Sequence, residues 1–213
     1  MGVRDRFEAG LARQLGHPSG IRGRTVARGL NQGNRRDVLA AVDAADVRPG
    51  QSVADVGFGG GVGLRPLLDR VGPTGHVDGV DIAETMVSAA RRSFADDVAR
   101  GGLTLHSGDM CGLQLADASI DAVVTTNTVY FVDDLARAFS ELARILRPGG
   151  RVVVGIADPE AMAALAFTAH GFRLRPVDEL VGQLESVGFG PPEDRRVGEG
   201  QGAFHLLVAE RGV

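Results

Sequence analysis

The segment 53–64, VADVGFGGGVGL, carries residue types and a spacing suited to holding a ligand. Asp55 precedes three alternating glycines, Gly57, Gly59 and Gly61, with Gly60 and Gly63 added. Glycine serves where backbone must turn sharply or approach a ligand with no Cβ in the way. No register of this loop reads G-x-G-x-x-G, because Val62, Leu64 and Pro66 fall at the third glycine position. A dinucleotide loop is therefore not indicated. A phosphate loop needs a lysine, and all 23 basic residues are arginine. A carboxylate at the ligand end of the loop repels a pyrophosphate and accommodates a cation.

Two more carboxylates lie at strand ends. Asp81 closes the run HVDGVD, and Asp109 lies in HSGDM. A carboxylate at the tip of a second strand accepts hydrogen bonds from both hydroxyls of a ribose. Asp109 suits an exocyclic amine such as adenine N6, with Met110 packed near the ring. Each acid alone reads equally well as a solvated or capping residue. Three at successive strand ends beside a glycine loop argue together for one site.

For proton transfer, His170 and His17 have the side-chain type that works near neutral pH, and either also reads as a surface histidine. Tyr130 is the only tyrosine in a chain without tryptophan. It is the one phenol available for hydrogen bonding, or a half-buried packing residue. His76 and His205 read as structural. No histidine pair has metal-ligand spacing, and the single Cys111 excludes an intrachain disulfide and a cysteine-cluster metal site. No metal is expected. The absence of lysine removes Schiff-base chemistry.

These residues need a frame, and the hydrophobic pattern supplies one. Short apolar runs at 52–57, 76–82, 103–107, 120–127 and 151–158 alternate with helical stretches at 64–71, 83–100 and 134–147. Such alternation predicts a doubly wound parallel sheet covered on both faces. After a helix at 177–188, two strands near 193–198 and 203–209 are joined too tightly for anything but antiparallel pairing. Two segments lie outside this core. One is 1–34, rich in arginine and glycine; the other is the insertion 159–176, whose Met162, Leu165, Phe167 and Phe172 form an apolar face. The insertion either closes over an apolar substrate or packs on the core.

Length and charge narrow the classes. A chain of 213 residues with 44% hydrophobic and 23% charged residues is expected to fold as one domain. No apolar run approaches the roughly 20 residues of a bilayer span, and the N-terminus shows no apolar signal region. A cytoplasmic protein without membrane contact is expected. A net charge of −4 gives no global attraction to nucleic acid.

The sequence resembles the class I S-adenosylmethionine (SAM) methyltransferases, specifically the small-molecule, ubiquinone/menaquinone-methyltransferase-like type 11 branch. The carrying motifs are DVGFGGG at 55–61, GVDIAETMV at 79–87, SGDM at 107–110, DAVVTTNTVYFVDD at 121–134 and LARILRPGGRVVV at 142–154. The resemblance covers about residues 35–210. It implies a Rossmann-like seven-stranded sheet, order 3-2-1-4-5-7-6, with strand 7 antiparallel. It implies that Asp55, Gly57, Gly59 and Gly61 hold the methionyl part of SAM and that Asp81 binds the ribose. Asp109 and Met110 then frame the adenine, and Ile82 and Asn127 complete the cofactor set. Phe58, Gly60 and Gly63 depart from the family loop and suggest a looser turn. Asn127 and Tyr130 have the spacing of an N-P-P-Y amine-binding loop, but both prolines are missing, so no amine substrate follows from it.

The leading reading is methyl transfer to a small organic molecule at O, N, S or C, chiefly by proximity and orientation, with S-adenosylhomocysteine as product. Tyr130 and His170 are its candidate catalytic groups. A nucleic acid or protein substrate, and a non-catalytic SAM-binding protein, stand as alternatives; the broken glycine pattern disfavours an NAD-dependent oxidoreductase. Partners other than the methyl acceptor are not indicated, and the oligomeric state, a homodimer included, stays open. Residues 16–34, with Arg22 and Arg24, are expected to fold over the cofactor as it binds.

Overall fold

The computed structural model describes residue 10 and residues 33–200 and 203–212. The expected cap at 16–34 lies outside the described residues except for its last two, and so does His17.

Seven strands form one sheet: β1 (Ser52–Val56), β2 (His76–Asp81), β3 (Leu103–Ser107), β4 (Ile120–Thr126), β5 (Leu146–Ala157), β6 (Glu193–Val197) and β7 (Phe204–Glu210). Their order is β3-β2-β1-β4-β5-β7-β6. The first five pair in parallel, and β7 runs antiparallel to both β5 and β6. The helices are α1 (Arg35–Ala44), α2 (Leu64–Val71), α3 (Glu84–Ser93), α4 (Ala95–Ala99), α5 (Leu135–Ile145), α6 (Pro159–Ala163) and α7 (Val177–Ser186).

Strand alternation divides the core into two layers. Ala54, Val56, Val123, Val152 and Val154 face α5 and α7, meeting Phe139, Leu142, Leu180 and Leu184. Val53, Val124, Val153 and Val208 face α1, α2 and α3, meeting Val42, Leu67 and Val87. A sheet buried on both faces requires the near-continuous apolar runs seen in the sequence. Its ligand-binding edge is the one at the carboxyl ends of the parallel strands.

Three local expectations are corrected. The helix expected over 83–100 breaks at Phe94, whose backbone leaves helical geometry (φ −117°, ψ 29°). Beyond the break, the buried Asp97 accepts from Arg65 and, at 2.7 Å, from Arg100. β5 begins five residues early, because Leu146 pairs with Ile120 before a register shift across the Pro-Gly-Gly stretch. The glycine loop is not loose. Phe58 turns inward to 6% exposure and packs over Gly79, where a Cβ would come 3.2 Å from its ring. The N–H groups of Gly57 and Phe58 both donate to the Val80 carbonyl, at 2.7 and 3.3 Å.

Candidate active site

The loop after β1 turns by taking left-handed backbone at Gly57, Gly59 and Gly61. At Gly57 (φ 78°) glycine is required twice over, because a Cβ would also lie 2.1 Å from the Thr128 hydroxyl. Gly63 has ordinary dihedrals but no room: a Cβ there would stand 2.5 Å from Oδ2 of Asp55. The loop thus closes directly on the Asp55 carboxylate.

Asp55 is 4% exposed. Burial first, and the Asp81 carboxylate second, push its carboxyl up to about 7. No hydrogen bond from the described residues offsets that cost. Asp81 differs: its Oδ2 accepts from Gly59 N–H at 2.7 Å and its Oδ1 from Ala83 N–H at 2.8 Å. It is buried, so it ties the glycine loop to the start of α3 as well as facing the cavity. Ile82, next to it, is a large apolar residue left 49% exposed at the cavity edge. Met110 is buried, and Asp109 is exposed and accepts from Cys111 N–H at 2.9 Å.

Asp55, Gly57, Gly59, Asp81, Ile82, Asp109, Met110 and Asn127 all border one cavity of about 190 Å³. Gly61, expected with them, does not border it: it turns the loop at φ 76°, and a Cβ there would face Leu64 and Phe94. Asn127 holds left-handed backbone (φ 56°), and its N–H donates to Gly155 at 2.8 Å. Non-glycine residues in this conformation gather at functional sites. Asn34 and Val38 of the α1 region, Thr128, Phe131 and Val132 also line the cavity. Sequence reasoning did not name these five as site residues; Thr128, Phe131 and Val132 stood inside a quoted motif and Asn34 at the end of the expected cap, whereas nothing in the pattern pointed to Val38.

A second cavity of about 1100 Å³ adjoins the first, and Asn34, Asn127 and Phe131 border both. The 159–176 insertion forms much of its wall and packs on the core, the second of the two expectations for it. Met162 and Phe172 pack against the core, and Leu165 and Phe167 face the cavity. Arg175 clamps the insertion to the loop after β4, donating to the carbonyls of Val129 at 2.9 Å and Val132 at 2.7 Å. Arg173 N–H adds a bond to the Tyr130 carbonyl at 2.8 Å.

The two candidate catalytic groups part company here. Tyr130 lines the second cavity, but it is 3% exposed and its hydroxyl accepts from Ala157 N–H at 2.7 Å. Burial raises its phenol well above the ordinary value. His170 lines neither cavity. His205 is buried on β7 between Asp194 and Asp158. His76 Nδ1 donates to the Gly101 carbonyl, 2.9 Å away. No cluster of metal-ligating side chains occurs among the described residues, and none of their helices is long and apolar enough to cross a membrane.

A doubly wound sheet with one antiparallel strand, and a carboxylate-lined glycine cavity at its carboxyl edge, is a Rossmann-like arrangement. Residues 54–154 match the family described as a methyltransferase domain. Over that stretch the chain is similar to the SAM-dependent methyltransferases. It is 31% identical to the arsenite methyltransferase of Halobacterium salinarum over 72% of this chain and 44% of that protein. It is 34% identical to the demethylmenaquinone methyltransferase of Halalkalibacterium halodurans over 56% of this chain and 47% of that protein. The chain thus spans less than half the length of either relative. The solved SAM-dependent methyltransferase of Aquifex aeolicus has the same fold, with a TM-score of 0.68 at 20% identity over 88% of this chain and 97% of that one. The first cavity suits a cationic nucleoside cofactor in two respects. A buried carboxylate with no donor among the described residues faces a loop with no room for a Cβ at Gly63, and an exposed isoleucine lies at the cavity edge.

Proposed function

We propose that the chain methylates a small organic molecule, with the cofactor in the first cavity and the acceptor in the second. The observation that carries this reading is the shared wall at Asn34, Asn127 and Phe131. Two cavities that meet there bring two ligands within reach of each other.

Asp55 and the glycine loop hold the methionyl part, Asp81 the ribose, and Asp109, Met110 and Ile82 the adenine. When bound, the cofactor supplies a methyl group already activated by a sulfonium. The protein's task is then alignment in line with the attacking atom and exclusion of water. Asn127, fixed by its bond to Gly155, orients the junction. Tyr130, Phe131 and Phe172 keep it dry. Tyr130 stays protonated at neutral pH and acts as a wall, not a base. The small size of the acceptor is supported by the names of the relatives, which act on arsenite and on demethylmenaquinone.

A thermal-shift comparison tests the cofactor half. S-adenosylhomocysteine at 100 times its dissociation constant is expected to stabilise by about 2.7 kcal/mol, and NAD and NADP by nothing. Stabilisation by NAD alone would overturn the reading. Transfer of a labelled methyl group to a panel of small acceptors then separates an enzyme from a protein that only binds SAM.

A further inference from the structure

The second cavity has walls of two kinds. One is a bank of rings: Phe131 and Phe167 lie 4.7 and 5.6 Å from Phe172 between centroids, and Tyr130 lies 5.7 Å from it. The other is charged. Asp37, Asp158 and Glu160 stand against a single guanidinium, Arg196, among the described lining residues.

Asp158 is the most firmly built of these carboxylates. It begins α6 and accepts from Ala161 N–H at 2.9 Å. Its other oxygen lies 3.3 Å from Nε2 of His205 and 3.6 Å from Arg196. His205 is 6% exposed, and its Nδ1 lies 2.9 Å from Asp194. The Ala161 N–H bond, followed by the histidine, holds the Asp158 carboxyl below the usual carboxylate range. Arg196 is a weak competitor: its side chain is half exposed and its contact is long. A rigid carboxylate beside ring faces complements a cation carried on an apolar body. The ammonium pairs with the carboxylate, and the rings attract it through their π-faces. An anionic ligand would meet three carboxylates instead.

We propose that the second cavity selects an acceptor carrying a protonated amine on an apolar, ring-sized body, with Asp158 as the anchor and His205 as its positioning residue. The word acceptor rests on the methyltransferase reading; the binding preference does not. The amine is an anchoring group, so the loop after β4, with its missing prolines, is not asked to hold it.

The test uses two probes with the same phenylethyl body and opposite charge, 2-phenylethylamine and 3-phenylpropanoate. Each is titrated calorimetrically into the full chain saturated with S-adenosylhomocysteine. The amine is expected to bind at least about tenfold more tightly. Asp158→Asn should remove that preference while leaving the affinity for S-adenosylhomocysteine unchanged, because Asn still caps α6. Equal binding, tighter binding of the carboxylate, or a preference that survives Asp158→Asn overturns the proposal. The comparison in the natural chain decides even if the variant does not fold. Failure of S-adenosylhomocysteine to bind counts against the methyltransferase reading alone, and the probes titrated without it still decide this one.

Discussion

Replacing Asp55 with Asn is expected to stabilise the ligand-free protein and weaken its hold on the cofactor. The carboxyl is displaced from 3.8 to about 7, by burial first and by Asp81 second. A carboxyl that binds its proton more tightly when folded favours the folded state at low pH. Stability therefore falls as pH rises from about 4 to about 7, and the full loss is present above 7. That interval corresponds to an upper figure of about 4 kcal/mol. At 2–4 °C per kcal/mol for a chain of this size, Asp55→Asn should melt roughly 8 °C above the natural protein at pH 8. At pH 4 the two should melt together. With ligand the gap narrows: losing a hydrogen bond to a charged group costs about 1.5–3 kcal/mol, or roughly 10- to 150-fold in affinity. Thermal unfolding in steps from pH 4 to 8, with and without S-adenosylhomocysteine, reads both effects. Equal melting at pH 8, or undiminished affinity, would refute the reasoning.

Asp81→Ala removes the acceptor for Gly59 and Ala83 N–H groups, so it should cost about 1–3 kcal/mol of stability as well as cofactor affinity; an unchanged melting temperature would contradict this. Gly57→Ala places a Cβ 2.1 Å from the Thr128 hydroxyl in left-handed backbone and should destabilise by about 1–3 kcal/mol, read by urea unfolding. Tyr130→Phe loses the bond from Ala157 N–H and about 1 kcal/mol, with the shape of the pH–rate profile retained; a vanished limb would make the phenol a base. Arg175→Ala releases two carbonyls and should raise the acceptor KM while cofactor affinity, followed by calorimetry, stays put.

The parts of this site that were legible in the sequence are local. The glycine loop, Asp81 and Asp109 each follow a strand whose apolar run announces it, and the sheet carries them to one edge. What the sequence hid depends on contacts between distant segments. Phe58 looked like an intrusion into the loop, because only the folded chain shows Gly79 making room for its ring. The early start of β5 was masked by Pro148, Gly149 and Gly150, which read as a turn although Leu146 pairs with Ile120. Val38 reaches the first cavity from a helix that carries no family motif. The partnership of Asp158 with His205 on β7 joins residues 47 apart and carries no local signal. His170 had the right chemistry for a base, and the backbone places it away from both cavities.

The Arg175 clamp bears on how such a cavity diversifies. Its two partners are main-chain carbonyls, those of Val129 and Val132, so the latch does not read the side chains of the loop it fastens. The fastening tolerates any side chain at 129–132 that keeps the backbone path, and Phe131, the one of the four that is not fully buried, has most freedom to vary. The insertion and the loop after β4 therefore behave as one transplantable cassette. Moving 159–176 into a related scaffold together with Arg175 should carry the new pocket wall and its fastening in a single step, whereas a graft ending before Arg175 would bring the wall without the means to hold it.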